Sequence, residues 1–147
     1  MTSRQNALCI FYALIAVAAL TGTLAQLKPY LSLGVVQGNV HFWQDTLVNA
    51  ASRFITVDIM FVFAVVWRWM LTEGRRLKMG GYFWYLPASL LIAFSAALPV
   101  FMIHREIARS RLDSPEQEDT GAAGAISVLL VTAVAFAYTW RALSAII

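Results

Sequence analysis

The feature that most constrains this chain is the stretch between Arg4 and Lys28, which contains no charged residue. A helix rises about 1.5 Å per residue and the hydrocarbon core of a bilayer is about 30 Å thick, so about 20 apolar residues are needed to cross it. This run is long enough, and it predicts a span over about residues 6–27. Two further uncharged stretches of similar length follow, Met79 to Ile103 and Thr120 to Trp140. Across 147 residues, 60% are hydrophobic and 13% are charged, a balance that belongs to a membrane protein rather than to a soluble domain.

A fourth span is predicted over about residues 52–72, although it contains Asp58 and Arg68. The long Arg68 stem can carry its charge to the nearer interface. Asp58 falls about 9 Å beyond Ser52 on a helix and so stays in the outer third of the crossing. The expected fold is therefore all-α, a polytopic membrane protein built as a four-transmembrane-helix bundle, with spans at about 6–27, 52–72, 81–103 and 120–140. Between the first two, Pro29, Gly34 and Gly38 are expected to break any helix in the first part of the linker, and residues 42–50 to form a short interfacial helix or to dip back into the headgroups. Residues 107–119 read as a polar linker. In the third span Pro99 is interior and is expected to bend the helix. The rival reading of the first run is a signal peptide, with Arg4 before it and Thr23-Leu24-Ala25 as a cleavage-like site.

Eleven basic residues against eight acidic ones give a formal charge of +3, which is enough to orient a membrane protein and carries no nucleic-acid signal. With four spans, Arg4, Arg68, Arg75, Arg76, Lys78 and Arg141 lie on one side, and Lys28, Arg53, Arg105, Arg109 and Arg111 on the other. The dense short loop at Arg75, Arg76 and Lys78 tips this narrow margin, so both termini are expected in the cytoplasm and the protein in a multi-pass arrangement in the inner (cytoplasmic) membrane. Cys9 is the only cysteine, so no intramolecular disulfide forms.

Helices in lipid meet through small residues that let backbones approach. Ser89, Ala93 and Ala97 form such a stripe, and Ala18 with Gly22 and Gly121 with Ala125 form shorter ones. Aromatic residues Phe61, Phe63, Trp67 and Trp69 read mainly as packing, and alternatively as the walls of a crevice for a flat hydrophobic ligand.

Asp58 is the most informative polar residue, because an ionisable group inside a span is costly and is by default a functional candidate. Its first expected partner is Arg105. The four-span topology also lets His41, Asp45, Asp58, His104 and Glu106 converge at one end. No spacing among them places two ligands on one helical face, so no metal is expected. Glu73 reads as part of the cytoplasmic loop with Arg75 and Arg76, either solvated or ion-paired. It lies about 22 Å from Asp58 along an unbroken helix, and the two cannot share a substrate.

The polar landmarks Gly22-Thr23 with Gln26, Phe42-Trp43-Gln44-Asp45-Thr46, Asn49 through the run Ser52-Arg53-Phe54-Ile55-Thr56-Val57-Asp58, Glu73-Gly74-Arg75-Arg76-Leu77, Ile92-Ala93-Phe94-Ser95, Pro99-Val100-Phe101 and Arg105-Glu106 form a pattern. It resembles the bacterial membrane-protein family catalogued as domain of unknown function 2834, over roughly Ala7 to Arg109. The resemblance implies a small helical membrane fold and no reaction. It picks out Asn49, Arg53, Asp58, Glu73, Arg105 and Glu106, and with His104 these are the expected ligand or polar-network residues.

Three functions are compatible with these residues. The leading one is a non-catalytic membrane protein that pairs with itself or serves as an accessory subunit, with the lipid bilayer and other membrane subunits as its partners and no cofactor beyond a bound lipid or lipophilic pigment. The second is an enzyme or binding protein for an isoprenoid, quinone or pigment, with Asp58 or Glu106 as the acid. The third is a proton-coupled transporter using Asp58.

Overall fold

A computed structural model describes residues 1–112 and 121–144. The described residues are all-helical. Helix α1, Ser3–Gln26, opens on a reciprocal cap in which the Thr2 hydroxyl accepts from the Gln5 amide and the Gln5 side chain accepts from the Thr2 amide. A 3₁₀ turn, Lys28–Leu33, carries Pro29 in its first turn, where a missing amide costs nothing. Helix α2 runs Val35–Asp45, upstream of the helix expected over 42–50, and residues 46–49 are a turn. Gly34, at φ 76°, does end the preceding turn. Gly38 does not break α2, because it lies where a Cβ would stand 2.6 Å from the Tyr30 carbonyl oxygen and glycine alone permits that approach.

Helix α3, Ala50–Arg76, is longer than the expected 52–72. The Asn49 side chain caps it by accepting from the Ser52 amide. After a tight turn, in which the ring of Tyr82 lies against Gly74, the chain forms a 3₁₀ turn over Tyr82–Trp84, α4 over Tyr85–Ala88, a π-helical turn over Ser89–Ala93, and α5 over Phe94–Arg109. Helix α6 covers Gly121–Ser144. Among the described residues, three helical stretches suffice by length and hydropathy to cross a membrane, namely Ser3–Gln26, Ala50–Arg76 and Tyr82–Arg109.

The third of these is folded on itself. Ala93 has extended backbone, φ −169° and ψ 127°, and the chain reverses there. As a result the Tyr85 hydroxyl lies 3.3 Å from Nδ1 of His104, and the Tyr85 ring 5.3 Å from that of Phe101. On a straight helix, nineteen residues would hold Tyr85 and His104 about 28 Å apart. The stretch expected as a single third span over 81–103 is therefore a helical hairpin with two limbs. The bend expected at Pro99 does not interrupt α5; the break comes six residues earlier. Since α4 and the π turn run back along the end of α3, α5 must run parallel to α3. Phe63 meets Phe94 at 4.9 Å between ring centroids, Trp69 meets Phe101 at 5.6 Å, and Glu73 meets Arg105 at 2.7 Å.

Helix α1 packs along α5 more extensively than any other pair of helices. Its Thr23 and Leu27 share a crevice with Phe94 and Ser95, so the two are antiparallel and the start of α1 lies near Arg105 and Arg109. The small residues Ala16, Ser89, Ala96 and Ala97 are buried in this packing. Ser89 and Ala97 thus sit on opposite limbs of the hairpin rather than on one helical face. Gly22 faces Thr139 of α6, whose methyl would stand 2.8 Å from an added Cβ. Gly121 and Ala125, expected to form a further stripe, have side chains outside the described set. Only nine peptide steps, at most about 32 Å, separate Leu112 from Gly121. Were α6 antiparallel to α1, Gly121 would lie about 27 Å beyond Gly22, on the side away from Leu112, and out of reach. Helix α6 is therefore parallel to α1. Most of the expected linker, residues 113–119, lies outside the described residues; its first part belongs to α5.

Spin labels at Gly80→Cys and Ser110→Cys, in a Cys9→Ser background, should lie within about two helix diameters, ~25 Å, by pulsed electron resonance. A straight helix would separate them by about 45 Å.

Candidate functional site

The hairpin brings four charged side chains into a buried cluster beside the end of α3. Glu73 sits in the last turns of α3, while Arg105, Glu106 and Arg109 sit in the last turns of α5; all four are buried. Arg105 donates through Nε to Glu73 Oε1 at 2.7 Å and through Nη1 to Glu106 Oε1 at 3.0 Å. Arg109 donates through Nη1 to the same Glu106 oxygen at 3.0 Å. Arg76, half exposed, closes on both Glu73 oxygens at 2.7 Å. The Trp69 ring lies under the Arg105 guanidinium, 5.8 Å from its centroid, and adds a cation–π contact. Two buried carboxylates thus face two buried guanidiniums, with Arg76 at the edge, which is the condition for burying charges without a prohibitive desolvation cost. Around them Met70, Leu77, Met79 and Phe101 form the apolar core.

This cluster corrects the expected partner of Asp58. Arg105 lies at the end of α3 opposite to Asp58, because α5 runs parallel to α3 and not antiparallel. For the same reason His104 and Glu106 do not converge with His41, Asp45 and Asp58. Asp45 instead accepts from the Tyr30 hydroxyl at 2.6 Å, and this bond holds the Tyr30 phenol pKa above its ordinary value. Arg53 donates to the Leu47 carbonyl at 2.8 Å and so ties down the turn before α3. Arg75 donates through Nε to the Tyr82 hydroxyl at 3.2 Å. Asp58 is exposed, and no hydrogen bond or ion pair to it is found among the described residues. Among those residues, no three His, Cys, Asp or Glu side chains gather as a metal site.

At the tip of the hairpin is a crevice of about 270 Å³. Its walls are Thr23 and Leu27 of α1, Phe42 and Trp43 of α2, Ile59, Met60 and Phe63 of α3, and Ser89, Leu90, Ile92, Ala93, Phe94 and Ser95 of the hairpin. A second hollow of about 310 Å³ shares Leu27, Phe42, Trp43, Leu90 and Ile92 with it and extends under Tyr30. Among the described residues, no titratable side chain lines the first crevice. The Thr23 hydroxyl is bonded to the Ala19 carbonyl and the Ser89 hydroxyl to the Tyr85 carbonyl, each within its own helix. The aromatic crevice expected from Phe61, Phe63, Trp67 and Trp69 is realised only through Phe63. Trp67 stacks on Phe63 from outside the crevice, Trp69 serves the ionic cluster, and Phe61 is exposed. Phe42, Trp43 and Phe94 are the aromatic walls that the sequence did not single out. Their signal was their place in the pattern carrying the resemblance, Phe42-Trp43-Gln44 and Ala93-Phe94-Ser95.

A family model described as protein of unknown function DUF2834 matches residues 11–107. No curated protein and no solved structure matches the chain. The match runs from within α1 to within α5, and it covers the whole crevice and, of the ionic cluster, Glu73, Arg76, Arg105 and Glu106, while Arg109 lies just beyond it.

Replacing Glu73 by Gln or Arg105 by Met should each destabilise the protein by about 3–5 kcal/mol, because either change strands an uncompensated buried charge. The pair together should cost much less than the sum of the two. Unfolding titrations of the four proteins of this cycle in mixed micelles measure the coupling.

Proposed function

Since this chain belongs to the family of proteins of unknown function DUF2834, which supplies no reaction to carry over, we propose its role from its own geometry: a membrane-embedded binding protein for a neutral, lipid-soluble molecule of the isoprenoid, quinone or pigment kind. The observation that carries this reading is the crevice at the hairpin tip, lined by Phe42, Trp43, Phe63 and Phe94 together with Ser95. Flat aromatic walls suit a ring or an unsaturated chain. A lining without an acid or a base favours holding such a molecule over acid–base chemistry on it. Asp58, earlier the favoured acid, neighbours the liners Ile59 and Met60 in sequence but is not among the lining residues, so the reading no longer depends on it.

The break at Ala93 supports the same reading. Irregular backbone at membrane depth is tolerated where it is buried in protein or lines a cavity, and Ala93 and its neighbours form the crevice wall. Broken helices ending at membrane depth are also how transport proteins build sites there. Natively purified protein extracted with organic solvent should therefore yield a stoichiometric lipophilic compound by mass spectrometry. Ala93→Trp, which fills the crevice, should lose that compound while keeping its helical content and its thermal transition. An extract holding only bulk phospholipid would refute the proposal.

The insertion we propose has three crossings, α1, α3 and α6, and a hairpin that enters and returns on the side of the ionic cluster. On this arrangement Arg4, Arg68, Arg75, Arg76, Lys78, Arg105, Arg109 and Arg111 lie toward one side, and only Lys28, Arg53 and Arg141 toward the other. Eight against three is a decisive bias, where four crossings gave six against five. The start of α1 is then cytoplasmic and the end of α6 is outside, which replaces the expectation that both termini share the cytoplasm. A reporter active only in the cytoplasm should be silent when fused after Ile147 and active when inserted at Gly80.

A further inference from the structure

The hollow under Tyr30 is built by a short part of the chain held in one shape. Helix α2 packs closely on the 3₁₀ turn Lys28–Leu33 that precedes it. Three contacts fix the pair: the Tyr30 hydroxyl donates to Asp45 at 2.6 Å, the Tyr30 ring stands edge-on to Phe42 at 5.6 Å, and the Tyr30 carbonyl oxygen lies 2.6 Å from where a Cβ on Gly38 would stand. Docked in this way, α2 lines the hollow with Val35, Gly38, Asn39, Phe42 and Trp43, whose spacing puts them on a single helical face. Leu27, Phe42, Trp43, Leu90 and Ile92 line both hollows, so the two adjoin as one elongated chamber.

The chamber changes in polarity with depth. In its first part Ile59 and Phe63 lie nine and thirteen residues beyond Ala50, about 14 and 20 Å along α3. The Thr23 and Ser89 hydroxyls there are bonded within their own helices, which leaves Ser95 among ring and aliphatic walls. The second part takes no described residue from α3 and lies along the segment that joins the end of α1 to the start of α3. Asn39 and Trp43 stand there one helical turn apart, and neither the Asn39 amide nor the Trp43 indole N–H has a hydrogen-bond partner among the described residues. Both groups donate. Among the described residues no charged side chain lines either part, and the neighbouring Asp45 carboxylate is taken up by Tyr30.

We propose that the second hollow is the head-group subsite of the crevice, and that the molecule held is an elongated amphiphile with a ring or unsaturated apolar part beside Phe63 and Phe94 and a neutral head whose carbonyl oxygens accept from Asn39 and Trp43. The inference rests on the binding role proposed above and narrows it to carbonyl-headed molecules, quinones among them. A hydrocarbon leaves both N–H groups without a partner, and a site that offers hydrogen bonds discriminates against a molecule that cannot make them. A phosphate or ammonium head meets no counter-charge there and has to be desolvated unpaired.

Three probes that share a decyl tail test the subsite: decylbenzoquinone, decylbenzene and decyl phosphate. Each is offered to the lipid-stripped whole chain in maltoside micelles, and the amount retained with the protein is measured by mass spectrometry against empty micelles. The quinone should bind about three- to tenfold more tightly than decylbenzene, the gain expected from a net hydrogen bond, and decyl phosphate no more tightly than decylbenzene. Asn39→Leu, and Trp43→Phe, which keeps an aromatic wall, should each at least halve the quinone's advantage, and the double variant should erase it. Ala93→Trp should lower the binding of quinone and decylbenzene alike. Equal binding of these two to the unaltered chain overturns the head-group subsite while the crevice reading stands, as does an advantage unchanged in both Asn39→Leu and Trp43→Phe. Tightest binding of decyl phosphate overturns the neutral head. Retention of none of the three above empty micelles overturns the crevice reading, and this inference with it.

Discussion

The contact between Glu73 and Arg105 sets the rest of this structure. Thirty-two residues separate the two in sequence, and they meet at 2.7 Å in a nearly water-free place. Once the end of α5 is fixed at the level of the end of α3, the intervening chain has no freedom to cross to the other end and stay there. It must go out and return, and the extended backbone at Ala93 is where it turns. The tip consequently stands at the level of Phe63, opposite Phe94. The crevice follows from that placement, because the tip stops partway along α3 and α1 and leaves space that α2 only partly covers.

A buried ion pair is weak support for stability by itself, since desolvation offsets much of the attraction. Its force here is negative. Leaving Arg105, Glu106 and Arg109 at the far end of a straight helix would separate two guanidiniums and a carboxylate from Glu73, and a Glu73 without Arg105 would be a buried carboxylate partnered chiefly by the half-exposed Arg76. The cluster therefore discriminates between a folded-back and an extended arrangement of the same apolar segment. Apolar packing alone does not, because both arrangements place the segment in lipid. Trp69, lying against both Arg105 and Phe101, couples the ionic layer to the apolar one beneath it.

The membrane character and the helical content were legible from the uncharged runs, and the start of α1 and the position of α3 followed to within a few residues. The hairpin was not legible from hydropathy, because a 25-residue apolar run from Met79 to Ile103 has the same composition whether it is one crossing or two half-length limbs. A directional signal was nevertheless present. Basic clusters bound that run on both sides, Arg75, Arg76 and Lys78 before it and Arg105, Arg109 and Arg111 after it, and a chain crossing between them would have to place one cluster outside. Reading those clusters as belonging to the same side gives the fold-back at once. The positions of α2 and the crevice walls were hidden for a different reason: Gly38 reads as a breaker unless the close approach of the Tyr30 carbonyl is known, and that approach is a tertiary fact.

Among the described carboxylates, Asp58 is the one that remains when Asp45, Glu73 and Glu106 have been accounted for. Glu73 and Glu106 are neutralised inside the chain, Asp45 is held by Tyr30, and Arg53 secures a turn. Each of these polar groups near a helix end has a structural reason that the same chain supplies. Asp58 has none among the described residues, although it belongs to the run Ser52-Arg53-Phe54-Ile55-Thr56-Val57-Asp58 that is the most specific part of the family pattern. The protein then divides its work along α3. The inward face, with Phe63, Met70 and Glu73, fixes the hairpin and shapes the crevice, and the outward face, with Phe54, Asp58 and Phe61, is exposed.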